Sequence, residues 1–227
     1  MLVLKSLVQS QLSNIPAAPS SAPLKGPLHI IARLARRFDE VRHPNARACI
    51  LWLVGQYAGR TDASPNPPVG AIEGVADWAP DTLRKAAKNF AHEACALAQK
   101  VSTLQLTRAQ SSVAKLQIVT LAAKLLVLSP AHRTLGLVSR YVFSLARYDM
   151  DYDVRDRART LGSLLAGVAS VLRAGMDKEE DAAEEQGGVI LRRQQVKVVF
   201  FEGKAEFPQS EAQPGTPAYR RWPRGQC

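Results

Sequence analysis

An all-α solenoid is the fold class that this sequence predicts, on three observations. Apolar residues recur at 3-4 spacing in tract after tract, strand-like alternation is nearly absent, and two of the tracts meet across a tight acidic corner. The corner is RYVFSLARYDMDYDVRDRARTL, Arg140 to Leu161. Composition agrees with a packed helical chain of 227 residues: 46% hydrophobic, only 6% aromatic, with Leu and Ala dominating the periodic tracts.

The first helix is expected over Val3–Leu12. Pro16, Pro19, Pro23 and Pro27 separate it from a second over Pro27–Phe38, whose buried stripe is Leu28, Ile31, Ala35 and Phe38. Pro44 opens a third, Asn45–Tyr57, and GQYAG at Gly55–Gly59 ends it with glycine as the cap. Between Gly59 and Ala79 lies a Pro/Gly/Asn-rich loop longer than ordinary connections. A fourth helix over Pro80–Lys100 follows, with Leu83, Ala87, Phe90, Ala94 and Leu97 on one face; a loop spans Ser102–Ser111, and a fifth helix, Ser112–Leu128, carries Leu116, Val119, Ala123 and Leu126. Pro130 divides it from Arg133–Arg147, with Leu135, Val138, Val142 and Leu145. The last helix, Asp153–Arg173, carries Val154, Ala158, Leu161, Leu165, Val168 and Leu172. The offset from Val113 to Val154 is about the 40 residues of a HEAT or armadillo-type unit, so antiparallel pairs stacked into a superhelix are expected.

Beyond the helices, Asp177–Glu185 is acidic and without apolar anchors, a solvated linker over 176–188. Val196, Val198 and Phe200 then alternate with Lys197 and Val199, which predicts a strand or extended strip docked on the helices. From Phe207 the chain is Pro-rich and basic, and 189–227 is expected to be an extended or disordered tail.

No constellation for chemistry emerges, and no catalytic, cofactor or metal residue is assigned. Asp149, Asp151 and Asp153 spell the opening of a calcium loop, but its sixth position is Val154 instead of Gly and its twelfth is Thr160 instead of Glu, so the three acids read as caps of the following helix. His29, His43, His92 and His132 are dispersed, and His92-Glu93 lacks the second His of a zinc helix. Cys49, Cys95 and Cys227 are odd in number without ligand spacing, which fits a reducing compartment, and Cys49 and Cys95 read as small buried hydrophobes. Phosphate-cradling glycine motifs do not occur. Trp52 and Tyr57 read as core and ridge residues, and Tyr148 and Tyr152 as packing of the corner. No apolar run approaches the roughly 20 residues of a membrane span, and no secretory leader is evident. The net charge of +10 invites an anionic partner, yet the cations scatter as Arg33, Arg36, Arg37, Arg84, Lys85 and Lys88 without an aromatic platform. Solvated helix faces come first, a membrane-facing basic surface second and nucleic acid last. An extended-surface binding protein, not an enzyme, follows from the residues alone.

Four tracts in one order, RACILWLVGQYAG (Arg47–Gly59), APDTLRKAAKNF (Ala79–Phe90), VAKLQIVTLAAKLL (Val113–Leu126) and the RYDMDYDVRDRAR corner, resemble the trunk of the beta large chains of adaptor-protein complex three, the beta adaptins. The resemblance runs to Leu165, with a short FEGK at Phe201–Lys204 beyond it. It implies an adaptin-type trunk over 1–175, interrupted at 59–79, in a heterotetrameric vesicle coat that sorts cargo from Golgi and endosomes towards the lysosome or vacuole. It further implies a delta-type large chain and medium and small chains as partners, an ARF-family GTPase and anionic membrane for recruitment, no cofactor and no nucleic acid. A cytoplasmic location, peripheral on Golgi, endosomal and vesicle membranes, goes with it. The exposed faces of Arg133–Arg173 are the expected contacts. Against the family pattern, Met1 falls within the trunk and Cys227 falls short of the later hinge and appendage, so a fragment with an uncovered apolar end is expected. The alternative from another class is a basic nucleic-acid-binding or karyopherin-like helical-repeat protein.

Overall fold

The computed structural model describes Ser6, Ser10 and residues 25–60, 71–94, 104–169 and 191–202, with backbone alone at Lys25, Ala94 and 104–111. Ser6 and Ser10 are helical; the rest of the Val3–Leu12 expectation, the 176–188 linker and the chain beyond Glu202 lie outside the described residues. Within them the protein is an all-α stack, as its periodicity predicts.

Helix α1, Lys25–Arg36, turns its stripe inward: Leu28, Ile31 and Ala35 are buried, and Phe38 is buried in a 3-10 turn, Phe38–Glu40. Helix α2, Pro44–Tyr57, starts with Pro44 in its first turn, where a missing N–H costs nothing. It is apolar almost all round, with Ile50, Leu51, Leu53, Val54 and Tyr57 buried, and so lies inside the stack.

The glycines of α2 do not serve as the expected cap. Ala58 ends the helix in right-handed conformation, and among the described residues only Gly74, in the turn before α3, has a positive φ, of 74°. Gly55 and Gly59 instead leave room for the side chains of Lys124 and Leu128. A Cβ on Gly55 would stand 3.2 Å from Lys124 Cδ, and one on Gly59 3.0 Å from Leu128 Cδ2.

The described end of the Gly59–Ala79 loop belongs to the fold. Val75 and Ala76 are buried, and the Ala76 N–H donates to the Ala58 carbonyl at 2.8 Å. Helix α3 then runs Trp78–Lys88, where a continuous Pro80–Lys100 helix is expected. It stops at Asn89, near φ −97° and ψ 6°, and the chain tightens into a second 3-10 turn, Phe90–Ala94. Asn favours such exits because its side chain competes for backbone hydrogen bonds.

Helix α4, Leu104–Leu128, begins within the tract expected to be a loop at Ser102–Ser111. It is the axis of the molecule. Ile118, Val119, Leu121, Ala122, Ala123, Leu125, Leu126 and Val127 wrap its whole circumference and all are buried, because α2, α3, α5 and α6 surround it. Helix α5, Arg133–Arg147, is capped by His132, whose Nδ1 accepts from the Leu135 N–H at 3.4 Å. Helix α6, Tyr152–Leu165, buries Val154, Ala158, Leu161 and Leu165 and ends short of the expected Arg173, with a turn over Ala166–Val168.

The tract expected to be a strand is helical. Arg193–Lys197 forms α7 and Val198–Glu202 continues it as a π turn. Docking decides against the β-prone alternation: Val196 is fully buried while Val198 and Val199 face water, a spacing that a helix supplies. The Arg193 guanidinium donates to the carbonyls of Val127, at 2.8 Å from Nε, and of Leu128, so it caps the C-terminal end of α4 where the helix dipole favours a cation. Gln56 Nε2 donates to the Phe201 carbonyl at 3.0 Å and ties the segment to α2.

Candidate interaction surface

Three cations of this protein, Arg47, Lys115 and Lys124, are buried. Lys115 on α4 donates from Nζ to Asp149 Oδ2 at 2.6 Å, and the Asp149 Oδ1 accepts from the Asp151 N–H at 3.0 Å. Asp151 in turn accepts from the Asp153 N–H at 2.9 Å and is the N-cap of α6. Of the three acids expected as caps, Asp151 caps, Asp153 lies in the first turn of α6, and Asp149 joins the corner to the axis helix. Both of its oxygens are engaged within the protein.

A second buried pair holds the other end. Arg47 Nε lies 3.0 and 2.9 Å from the Glu93 carboxylate oxygens, its second terminal nitrogen also donates to Glu93, and Nη1 donates to the Phe38 and Val41 carbonyls at 3.1 and 2.9 Å. The guanidinium lies over the Phe38 ring, 3.9 Å from its centre. One side chain thereby fastens both 3-10 turns to α2, a use of a planar, five-donor fork that Lys could not reproduce. A third buried cation, Lys124, donates to Gln56 Oε1 at 2.7 Å and lies 5.3 Å from the Phe201 ring centre. Burial pushes its ammonium down to about 8.

None of these groups lines a cleft open to a substrate. Among the described residues, no cluster of three or more His, Cys, Asp or Glu side chains could hold a metal ion, and no helix is long and apolar enough to cross a membrane. Cys49 is buried as expected, Trp52 is half-buried against the core and Tyr57 is buried; the side chain of Cys95 lies outside the described residues. An open groove of about 520 Å³ lies where the 71–77 segment meets the first turns of α3 and α5, floored by Ile72, Pro80, Leu135 and Val138.

The corner aromatics do not pack it. Tyr148, Met150 and Tyr152 are all at least 75% exposed. Between them Asp149 is turned inward to Lys115, in a corner that turns at Tyr148 and bends at Met150. Tyr152 lies under the Arg155 guanidinium at 4.2 Å from the ring centre. On α5, Leu137 and Tyr141 are also more than half exposed. Among the described residues, exposed large apolar side chains are therefore most concentrated on the α5–α6 pair, within the Arg133–Arg173 stretch expected to make contacts.

Residues 27–168 match the adaptin N-terminal region, which takes in everything from the first turn of α1 to the end of α6. The chain belongs to the adaptin family. Among its relatives, the AP-3 complex subunit beta-2 of Mus musculus is 36% identical over 163 residues, 72% of this chain and 10% of that protein. The AP-3 complex subunit beta-1 of Homo sapiens is 35% identical over 136 residues, 60% of this chain and 9% of that protein. The AP3-complex subunit beta-A of Arabidopsis thaliana is 29% identical over 162 residues, 70% of this chain and 13% of that protein. This adaptin thus spans about one tenth of the length of the mouse and human relatives. The buried pairs tie the elements of this adaptin stack to one another, and its outward faces are what it can offer to other molecules.

Proposed function

We propose that this chain serves as part of the helical trunk, residues 1–175, of the beta subunit of an AP-3-type adaptor complex. The observation that carries the reading is the match of residues 27–168 to the adaptin N-terminal region, in a chain whose similar relatives are beta subunits of AP-3 complexes from mouse, human and plant. The role is architectural and non-enzymatic: a stiff helical stack that holds other subunits by shape and contact. Its buried ion pairs and close α2–α4 approach support that use, since a scaffold transmits position only if its own elements do not shift.

On this reading the partners are a delta-type large chain and the medium and small adaptin chains. An ARF-family GTPase and an anionic membrane recruit the assembled complex to Golgi, endosomal and vesicle membranes, where it sorts cargo towards the lysosome or vacuole. The net charge of +10 supports the membrane part by attraction to anionic lipid, which salt weakens. The nucleic-acid and karyopherin-like alternatives have no support in the family match.

An affinity pull-down of this chain from cell lysate, with bound proteins identified by mass spectrometry, tests the proposal. Recovery of a medium adaptin chain and a delta-type large chain is expected. Recovery of RNA-binding or nuclear-transport proteins in their place would overturn it.

A further inference from the structure

Nine large hydrophobic side chains stand exposed among the described residues, and five of them, Leu137, Tyr141, Tyr148, Met150 and Tyr152, belong to α5 and its corner with α6. The other four, Ile30, Val113, Val198 and Val199, are spread over three separate elements, as scattered surface apolar groups ordinarily are. Leu137, Tyr141 and Tyr148 follow one another by four and seven residues, so they form one stripe along the helix, about 16 Å long at 1.5 Å per residue. Met150 and Tyr152 extend it around the corner. A stripe of this kind is the face that a stacked helix buries against a neighbour. Here the neighbours α3, α4 and α6 already occupy the opposite side, where Leu135, Val142, Phe143 and Ala146 are buried.

The charge beside the stripe selects what fits it. Arg133 and Arg140, seven residues apart, share its face and are exposed, and α5 contains no acidic residue at all. The corner carries both signs, with Asp151 and Asp153 beside Tyr152 and the Arg155 guanidinium over its ring. A phosphate backbone or an anionic lipid surface laid along the stripe would meet these carboxylates among the very aromatics it would need. We infer that the outward face of α5 docks an amphipathic helix of a partner protein, apolar along one stripe and acidic where it passes Arg133 and Arg140. Recognition follows the helix-against-groove mode: Leu137, Tyr141 and Tyr148 supply the anchoring area and the two arginines set register and direction. The inference uses the exposed residues alone and stands whether or not the adaptor assignment does.

The test places a photo-crosslinking benzoylphenylalanine at Tyr141 in the full chain, expressed in cells, and sequences whatever peptide or other molecule is joined to it. The expected adduct is a peptide of a different protein with apolar residues at helical spacing and carboxylates beside them. Its yield should fall about tenfold in Arg133→Glu/Arg140→Glu and persist in Arg133→Lys/Arg140→Lys, because like charges across an interface are strongly unfavourable while the sign of the rim is kept by Lys. Both arginines are exposed, and an unchanged melting temperature of the Glu variant separates lost docking from lost folding. An RNA or lipid adduct, an adduct to the chain's own acidic Asp177–Glu185 tract, a peptide without acids, a yield indifferent to charge reversal, or no adduct at all would overturn the inference.

Discussion

Lys115 Nζ stands 2.6 Å from Asp149 Oδ2, with only 9% and 8% of the two side chains open to water, so the axis helix and the α5–α6 corner share a buried ion pair. Two desolvated charges repay their burial only through each other, and removing one leaves the other stranded. Lys115→Met is expected to destabilise the protein by about 3–5 kcal/mol. Lys115→Met/Asp149→Asn should recover most of that loss, since the Asn oxygen still accepts from the Asp151 N–H while the stranded charge is gone. Urea unfolding of the wild type and the two variants measures both losses. Equal losses in the single and double variants would mean that the pair matters only through its packing.

Arg47→Lys tests whether the second pair works by charge or by shape. Lys keeps the charge against Glu93 but has one nitrogen, whereas Arg47 reaches the Glu93 carboxylate and the Phe38 and Val41 carbonyls together. Two buried carbonyls then lose their donor, and the expected loss is roughly 2–4 kcal/mol. Hydrogen exchange should localise it: amides of Phe38–Glu40 and Phe90–Ala94 exchange faster, while those of α5 and α6 do not change. A uniform change across the chain would contradict the assignment of Arg47 as a local fastener.

The two elements fastened this way differ in how far their sequence announced them. The stripes of α1, α5 and α6 were legible because each has a single buried face, and Leu28, Ile31, Ala35 and Phe38, like Val154, Ala158, Leu161 and Leu165, are buried where their spacing puts them. The buried lysines of α4 were not, because a Lys inside VAKLQIVTLAAKLL reads as the solvated face of an amphipathic helix. A signal was nonetheless present. Apolar residues at 118, 119, 121, 122, 123, 125, 126 and 127 leave no face for water, so Lys124 had nowhere to be but inside, in need of a partner such as Gln56. Tyr148 and Tyr152 misled in the other direction. Aromatics default to the core, but here the corner turns Asp149 inward to Lys115 and leaves both tyrosines in water, an arrangement that no local spacing encodes. The helical form of Arg193–Glu202 is likewise a tertiary effect: Val196 buries against the stack and overrides a β-prone pattern.

That docked segment is held at its start by Arg193. Arg193→Ala removes the donors to the Val127 and Leu128 carbonyls, the last turn of α4. Loss of a charge-assisted cap at a helix end costs about 1–2 kcal/mol. The expected outcome is selective: exchange protection drops in 191–202 and around Leu128, with the global unfolding midpoint almost unmoved. If protection in 191–202 is unchanged, Val196 and the Gln56 bond suffice to hold the segment and Arg193 is dispensable.

Lys124 gives the protein a pH dependence with a defined sign. Its ammonium is pushed by burial from 10.5 to about 8, so between those values the folded chain binds fewer protons than the unfolded chain. Stability therefore carries the full penalty of a buried cation below pH 8 and rises as pH climbs from 8 towards 10.5. The whole shift corresponds to an upper figure of roughly 3 kcal/mol. Tyr57, whose phenol burial pushes up, acts with the opposite sign but only above its ordinary value of 10.0, so it stays out of a comparison between pH 7.5 and 9.5. Lys124→Met, which keeps the apolar stem against Gly55 and the Phe201 ring, should be flat over that range where the wild type gains about 1–2 kcal/mol in urea unfolding. Were the two proteins to show the same slope, the titrating group would lie elsewhere, and Lys124 would be carrying its charge stably between Gln56 and Phe201.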